Sequence, residues 1–107
     1  MAISFPAGNV NPTASSVAVT SVVCSNQTIV ALAANPARLP GTTIVNNTPS
    51  VAWLQLATGA VTPGAPTAIP LQPKGGNYDV PASYKGIVQA INEVAGTGTL
   101  QVIEPQA

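Results

Sequence analysis

The chain has 107 residues, enough for one domain with a hydrophobic core, and 46% of them are apolar. Three cationic and three anionic side chains leave no net charge, and the charged fraction is 6%, against about 25% in ordinary globular chains; three cations form no basic stripe, which excludes nucleic acid as a partner. The absence of histidine and the single cysteine exclude histidine-based acid–base catalysis, a zinc site and an intrachain disulfide.

Residues 1–16, MAISFPAGNVNPTASS, carry Pro6 and Pro12 and no periodic apolar face, so they read as an extended arm ahead of a domain at 17–107. Ile3, Phe5 and Val10 are apolar groups for which a solvated tail has little use. Ile3 and Phe5 share one side of an extended segment, suited to filling a groove or extending a neighbour's sheet. The start has neither a cationic n-region nor an apolar stretch of signal-peptide length, so synthesis in a host cytoplasm is expected.

From residue 17 the pattern is one of short Val-, Ile-, Thr- and Leu-rich runs punctuated by eleven prolines and nine glycines, which predicts strands separated by turns. The first strand is expected at 17–24 (VAVTSVVC), ending in Cys24 as a small buried hydrophobe. A second follows at 28–34 (TIVALAA); its neighbourhood, QTIVALAANPARL, also has helix formers, but Thr28, Ile29, Val30 and Pro36 favour the strand. The apolar run within it, residues 29–34, is far shorter than the roughly 20 residues that span a bilayer, and no membrane association is expected. Strands at 42–46 (TTIVN) and 51–57 (VAWLQLA) flank NNTPS, whose Asn and Pro predict a tight hairpin. Residues 51–57 are apolar on both faces, which predicts burial on one side by a second sheet and on the other by something else. Further strands are expected at 67–72, 77–80, 86–92 and 98–104, with turns at PKGGN and AGTG. In the last, Leu100 and Val102 face one way and Thr99 and Gln101 the other, with Ile103 breaking the polarity. Eight short strands in one small domain predict an all-β sandwich of the jelly-roll kind. The Asn-x-Thr sequons at Asn26 and Asn46 read as chance in a chain rich in both residues.

Residues 73–86, PKGGNYDVPASYKG, gather Lys74, Lys85, Asp79, Tyr78 and Tyr84. Gly75 and Gly76 permit a sharp turn, Pro81 stops a strand and Gly86 frees the next, so the stretch reads as the polar rim of a corner. Ser83 and Lys85 share a face without an oxyanion hole in view, the carboxylates Asp79, Glu93 and Glu104 are far apart in sequence, and PKGGN lacks phosphate-loop spacing. No catalytic residue, metal or cofactor is assigned, and the chain is read as not an enzyme. Trp53, Tyr78 and Tyr84 are the remaining candidates for recognition. Trp53, in a doubly apolar strand, reads as core or interface; each tyrosine reads as a ring covering the end of a sandwich, with its hydroxyl on a backbone group.

The stretches ARLPGTTIVNNTPSVAWLQLATGA, PLQPKGGNYDVPASYKGIVQAI and GTGTLQVIE, over about residues 37–104, resemble small all-β virion proteins of tailed bacteriophages, of the head decoration (cement) kind. The resemblance lies in a Gly-x-x-Ile-x-Asn strand (Gly41, Ile44, Asn46), a Leu-x-Leu strand (Leu54, Leu56), a Gly-Gly-x-Tyr-x-x-Pro turn (Gly75, Gly76, Tyr78, Pro81) and Tyr-x-Gly (Tyr84, Gly86). It implies a structural protein on the capsid surface, with the major capsid protein and other copies of itself as partners. A trimer is slightly preferred over a dimer because capsids offer many threefold junctions. Similar sandwiches serve at necks, tails and fibres, so a neck or tail adaptor and a carbohydrate-binding module remain open. Ile3, Phe5, Val10, Trp53, Tyr78 and Tyr84 are the expected partner-binding residues.

Overall fold

A computed structural model of the protein describes residues 15–95 and 98–107. The arm residues Ile3, Phe5 and Val10 lie outside the described residues. Eight strands follow in chain order: β1 (Ser16–Cys24), β2 (Ile29–Leu32), β3 (Thr43–Asn46), β4 (Ala52–Gln55), β5 (Ile69–Leu71), β6 (Gly76–Asp79), β7 (Val88–Asn92) and β8 (Gly98–Gln106). Each predicted strand is present, mostly shortened at its ends, and no helix occurs among the described residues. The chain leaves β2 soon after Leu32, and Asn35 turns it by accepting a hydrogen bond from the Ala37 N–H at 2.9 Å.

The strands form two four-stranded antiparallel sheets. One has the order β1-β8-β3-β6 and the other β2-β7-β4-β5. Alternate residues point between them: Ile44 from β3 and Leu100 and Val102 from β8 meet Ala52 and Leu54 from β4, Leu71 from β5, and Val88 and Ala90 from β7. This is the period of two that a half-buried strand requires. Ile44, Leu54, Leu100 and Val88 are fully enclosed, and burial of such side chains is worth roughly 1.5–3 kcal/mol each. Thr99, Gln101 and Ile103 lie on the opposite face of β8 and are half-buried.

The expected hairpin between 42–46 and 51–57 does not form. β3 and β4 belong to different sheets, and NNTPS carries the chain from one layer to the other. Asn and Pro favour a change of direction whether the next strand lies beside the last or beneath it, so turn chemistry alone does not separate the two. The connections β1–β2, β2–β3, β5–β6, β6–β7 and β7–β8 also pass between sheets; β4 and β5 alone are consecutive strands of one sheet.

The outer side of β4 is covered only in part. Ala52 and Leu54 are buried toward the other sheet, whereas Trp53 and Gln55 are half-buried on the outside. The long connection after β4 folds back here, its Gly59 N–H reaching the Gln89 side chain and its Val61 N–H the Thr28 hydroxyl, with Val61 buried. Those contacts fall on β7 and just before β2, and the outer side of β4 stays half-buried, short of the burial on both faces expected from its sequence.

Candidate functional site

Four inter-sheet crossings, β1–β2, β3–β4, β5–β6 and β7–β8, meet at one end of the sandwich, where apolar packing alone would strand their backbone groups. Asn46, the last residue of β3, is fully buried there. Its amide nitrogen donates to the carbonyls of Ser50, Leu71 and Gln72 at 2.9, 3.0 and 3.1 Å, and its oxygen accepts from the Thr48 N–H at 2.9 Å and the Thr48 hydroxyl at 2.6 Å. The third member, Asn92, donates to the Cys24 carbonyl at 3.0 Å, and its oxygen lies 3.2 Å from the Thr48 hydroxyl. Three buried polar side chains thus satisfy backbone groups at the β1–β2, β3–β4 and β5–β6 crossings, and one of them, Asn92, is the residue from which the β7–β8 crossing leaves. With its side chain committed in this way, Asn46 is inaccessible as a glycosylation acceptor in the folded protein.

A second knot closes the opposite end. Arg38 is 2% exposed, and no carboxylate pairs with it among the described residues. Its guanidinium donates to the carbonyls of Tyr84 (2.6 Å), Gly86 (3.1 Å) and Ala33 (2.8 Å), joining the β2–β3 connection to the β6–β7 connection. The Tyr84 ring centroid lies 5.9 Å from the guanidinium carbon, and the Tyr84 hydroxyl donates to the Ile87 carbonyl at 2.5 Å. Lys85 reinforces the joint by donating to the Arg38 carbonyl at 3.1 Å. Guanidinium is the one cationic side chain whose fixed fork can serve several carbonyls together.

The polar cluster at 73–86 is therefore spread over both ends of the domain. Lys74 and Gly75 sit at the Asn46 end, where their N–H groups donate to the carbonyls of Thr48 and Asn46; Tyr84, Lys85 and Gly86 sit at the Arg38 end. Between them β6 turns Tyr78 inward, half-buried against the core, and Asp79 outward, where its carboxylate accepts from the Thr43 hydroxyl at 2.8 Å. The single corner read from the sequence is two corners joined by a strand. Of the expected partner-binding residues, Tyr84 belongs to the Arg38 knot, Tyr78 packs on the core, and Trp53 lies on the outer face of the second sheet beside Pro70 and Ile91. The structure does not bring the three together on one surface.

Among the described residues no three His, Cys, Asp or Glu side chains gather as metal ligands. Cys24 is fully buried, and burial pushes its thiol up from 9.0 to about 11, far from the thiolate that reactivity needs.

Among the described residues the exposed large apolar side chains are Val30, Val94 and three that share β1. Val17, Val19 and Val23 are 55%, 55% and 61% exposed on the outer face of the first sheet. Their register places Val17 beside Pro105, and Val19 beside Ile103 in the neighbouring strand. No charged side chain occurs in β1. Sequence reasoning placed this strand but assigned it no surface role. The available signal was apolar residues at both odd and even positions, the same pattern that singled out 51–57. Compared with known proteins, the chain matches no family model, no curated protein and no solved structure.

Proposed function

We propose that this chain is a structural protein of a tailed-bacteriophage virion, a decoration protein that binds the outer surface of the major capsid protein shell and stabilises it. The observation that carries the reading is the apolar strip along β1 on the outer face of the first sheet, where Val17, Val19 and Val23 are exposed and Val17 and Val19 adjoin Pro105 and Ile103. Contiguous exposed apolar surface rimmed by Ser, Thr and Gln is what a protein-binding face presents. A net-neutral exterior with few charges also suits a protein covered by partners.

The strand order supports the same assignment. Two four-stranded sheets ordered β1-β8-β3-β6 and β2-β7-β4-β5 support reading the sandwich as an eight-stranded jelly roll, an architecture used by viral capsid and lectin domains. Buried polar side chains at both ends hold crossings together, which makes a rigid block to lay across a junction between subunits. An interface of about 1,000 Å² in total would give each copy a specific contact, and repetition over the shell multiplies modest affinities. In this reading the arm, with Ile3, Phe5 and Val10, latches onto an adjacent subunit.

Co-sedimentation of the purified protein with expanded shells that lack it tests the proposal, together with the copy number in purified virions by quantitative gel. Saturable binding at a stoichiometry tied to the capsid lattice is expected, and removal of residues 2–12 should weaken binding without unfolding the domain. A copy number matching one ring of subunits would instead identify a neck or tail adaptor. Oligosaccharide-induced chemical-shift changes confined to Trp53, Tyr78 and Tyr84 would identify a carbohydrate-binding module.

A further inference from the structure

We propose that two copies of this chain associate through their β1 edges, with the two-fold axis passing through Thr20 and the two outer faces merging into one continuous sheet surface. The inference deepens the decoration reading by supplying the unit that would lie on a shell, but it rests on the edge strand alone.

Four strands form the sheet edges, and three of them are blunted. β6 has four residues and carries the Asp79 carboxylate, β5 has three and contains Pro70, and β2 has four with a register shift between Val30 and Leu32. Brevity, charge, proline and irregularity are the usual protections of an edge. β1 has none of these. It runs for nine residues, SVAVTSVVC, without charge or proline, pairs regularly with β8 along its whole length, and among the described residues has no strand on its other side. Such an edge is a template for another strand.

The sequence of β1 indicates that the incoming strand is a second β1. In an antiparallel pair, two residues facing each other both turn their backbone groups toward the partner or both away. Residues of like parity therefore pair across a two-fold axis, which also keeps the core face of one copy level with that of the other. The register centred on Thr20 overlaps all nine residues. It sets Val17 against Val23 of the second copy on the outer face, Val19 against Ser21, Ala18 against Val22 on the inner face, and Thr20 against itself. Val17 of each copy then packs sideways against Val23 of the other, and the Thr20 pair is a favourable cross-strand match. No charge is buried. A contact of this kind is isologous and closes at two chains, in place of the trimer favoured by capsid geometry.

Sedimentation velocity of the full chain, with no shell protein present, should give about twice the 10.7 kDa mass of one chain. Thr20 is exposed and accepts longer side chains. Thr20→Lys and Thr20→Glu should each reduce the mass to one chain, because like charges face one another at the axis, and mixing the two should restore a two-chain species containing one of each. A short thiol cross-linker should join Thr20→Cys chains, with Cys24 buried and unreactive. A single-chain mass for the wild-type protein throughout its soluble range overturns the proposal. So does a three-chain mass, an assembly that survives Thr20→Lys, or folded Lys and Glu variants that stay apart on mixing. Should a charged variant fail to fold by circular dichroism, absence of the Thr20→Cys cross-link overturns it instead. None of these readouts involves a capsid, so the decoration proposal stands or falls separately.

Discussion

Replacing Asn46 by alanine should be among the most damaging single changes in this protein, although it removes only a small polar group. The side chain has two amide hydrogens and an oxygen with two lone pairs, so at most four full hydrogen bonds are lost. In place of those bonds the variant leaves the carbonyls of Ser50, Leu71 and Gln72 and the N–H of Thr48 without their partner in the interior. At about 1 kcal/mol per bond the loss is about 4 kcal/mol, and stranded buried groups push it upward. Domains of this size have about 5–15 kcal/mol in all, so the variant should be near the limit of folding. Urea unfolding followed by the fluorescence of Trp53, the only tryptophan, measures the change. Asn46→Asp should be worse at neutral pH, because it aims a buried charge and a second acceptor at three carbonyls. Exposed Asn47→Ala is the control and should stay within about 0.5 kcal/mol of the wild type. A cost below about 1 kcal/mol for Asn46→Ala would refute the view that this residue holds the crossings together.

Arg38→Lys should cost about 2 kcal/mol or more by thermal or urea unfolding, because one ammonium cannot reach the carbonyls of Ala33, Tyr84 and Gly86 together. Gly76→Ala should destabilise by about 1–3 kcal/mol: its Cβ would lie 2.6 Å from the Gln72 carbonyl oxygen, and only a backbone shift relieves that overlap. Single changes of the exposed Lys74 and Asp79 to alanine should alter stability by no more than about 0.5 kcal/mol each, and Lys85→Ala, which loses the bond to the Arg38 carbonyl, by about 1 kcal/mol; loss of capsid binding by all three at nearly unchanged melting temperature would make this region a docking site. The raised Cys24 pKa favours the folded state below pH 9.0; that contribution should fall away between pH 9.0 and about 11, by about 2–3 kcal/mol at the upper end. Urea unfolding at pH 8 and pH 11 should show this part of the decline in the wild type and not in Cys24→Ala.

The strands were legible in the sequence because they are written locally. β-branched runs bounded by glycine and proline restrict each segment's own backbone, and alternation in β8 marks Leu100 and Val102 as turning inward. The absence of a helix at QTIVALAANPARL follows from the same local terms. What the tertiary structure decided is where each strand goes next. NNTPS bends the chain equally well for a hairpin or a crossing, and the choice rests on hydrogen bonds that β3 makes to β6 and β8, far away in sequence, and on the carbonyls beyond β4 and β5 that accept from Asn46. Arg38 gave no local sign of burial, since the carbonyls that hold it come mainly from a connection some 46 residues away. Residues 73–86 looked like one polar site because they are contiguous, but β6 is an extended strand advancing about 3.3 Å per residue, and that geometry carries Lys74 and Lys85 to opposite ends of the sandwich.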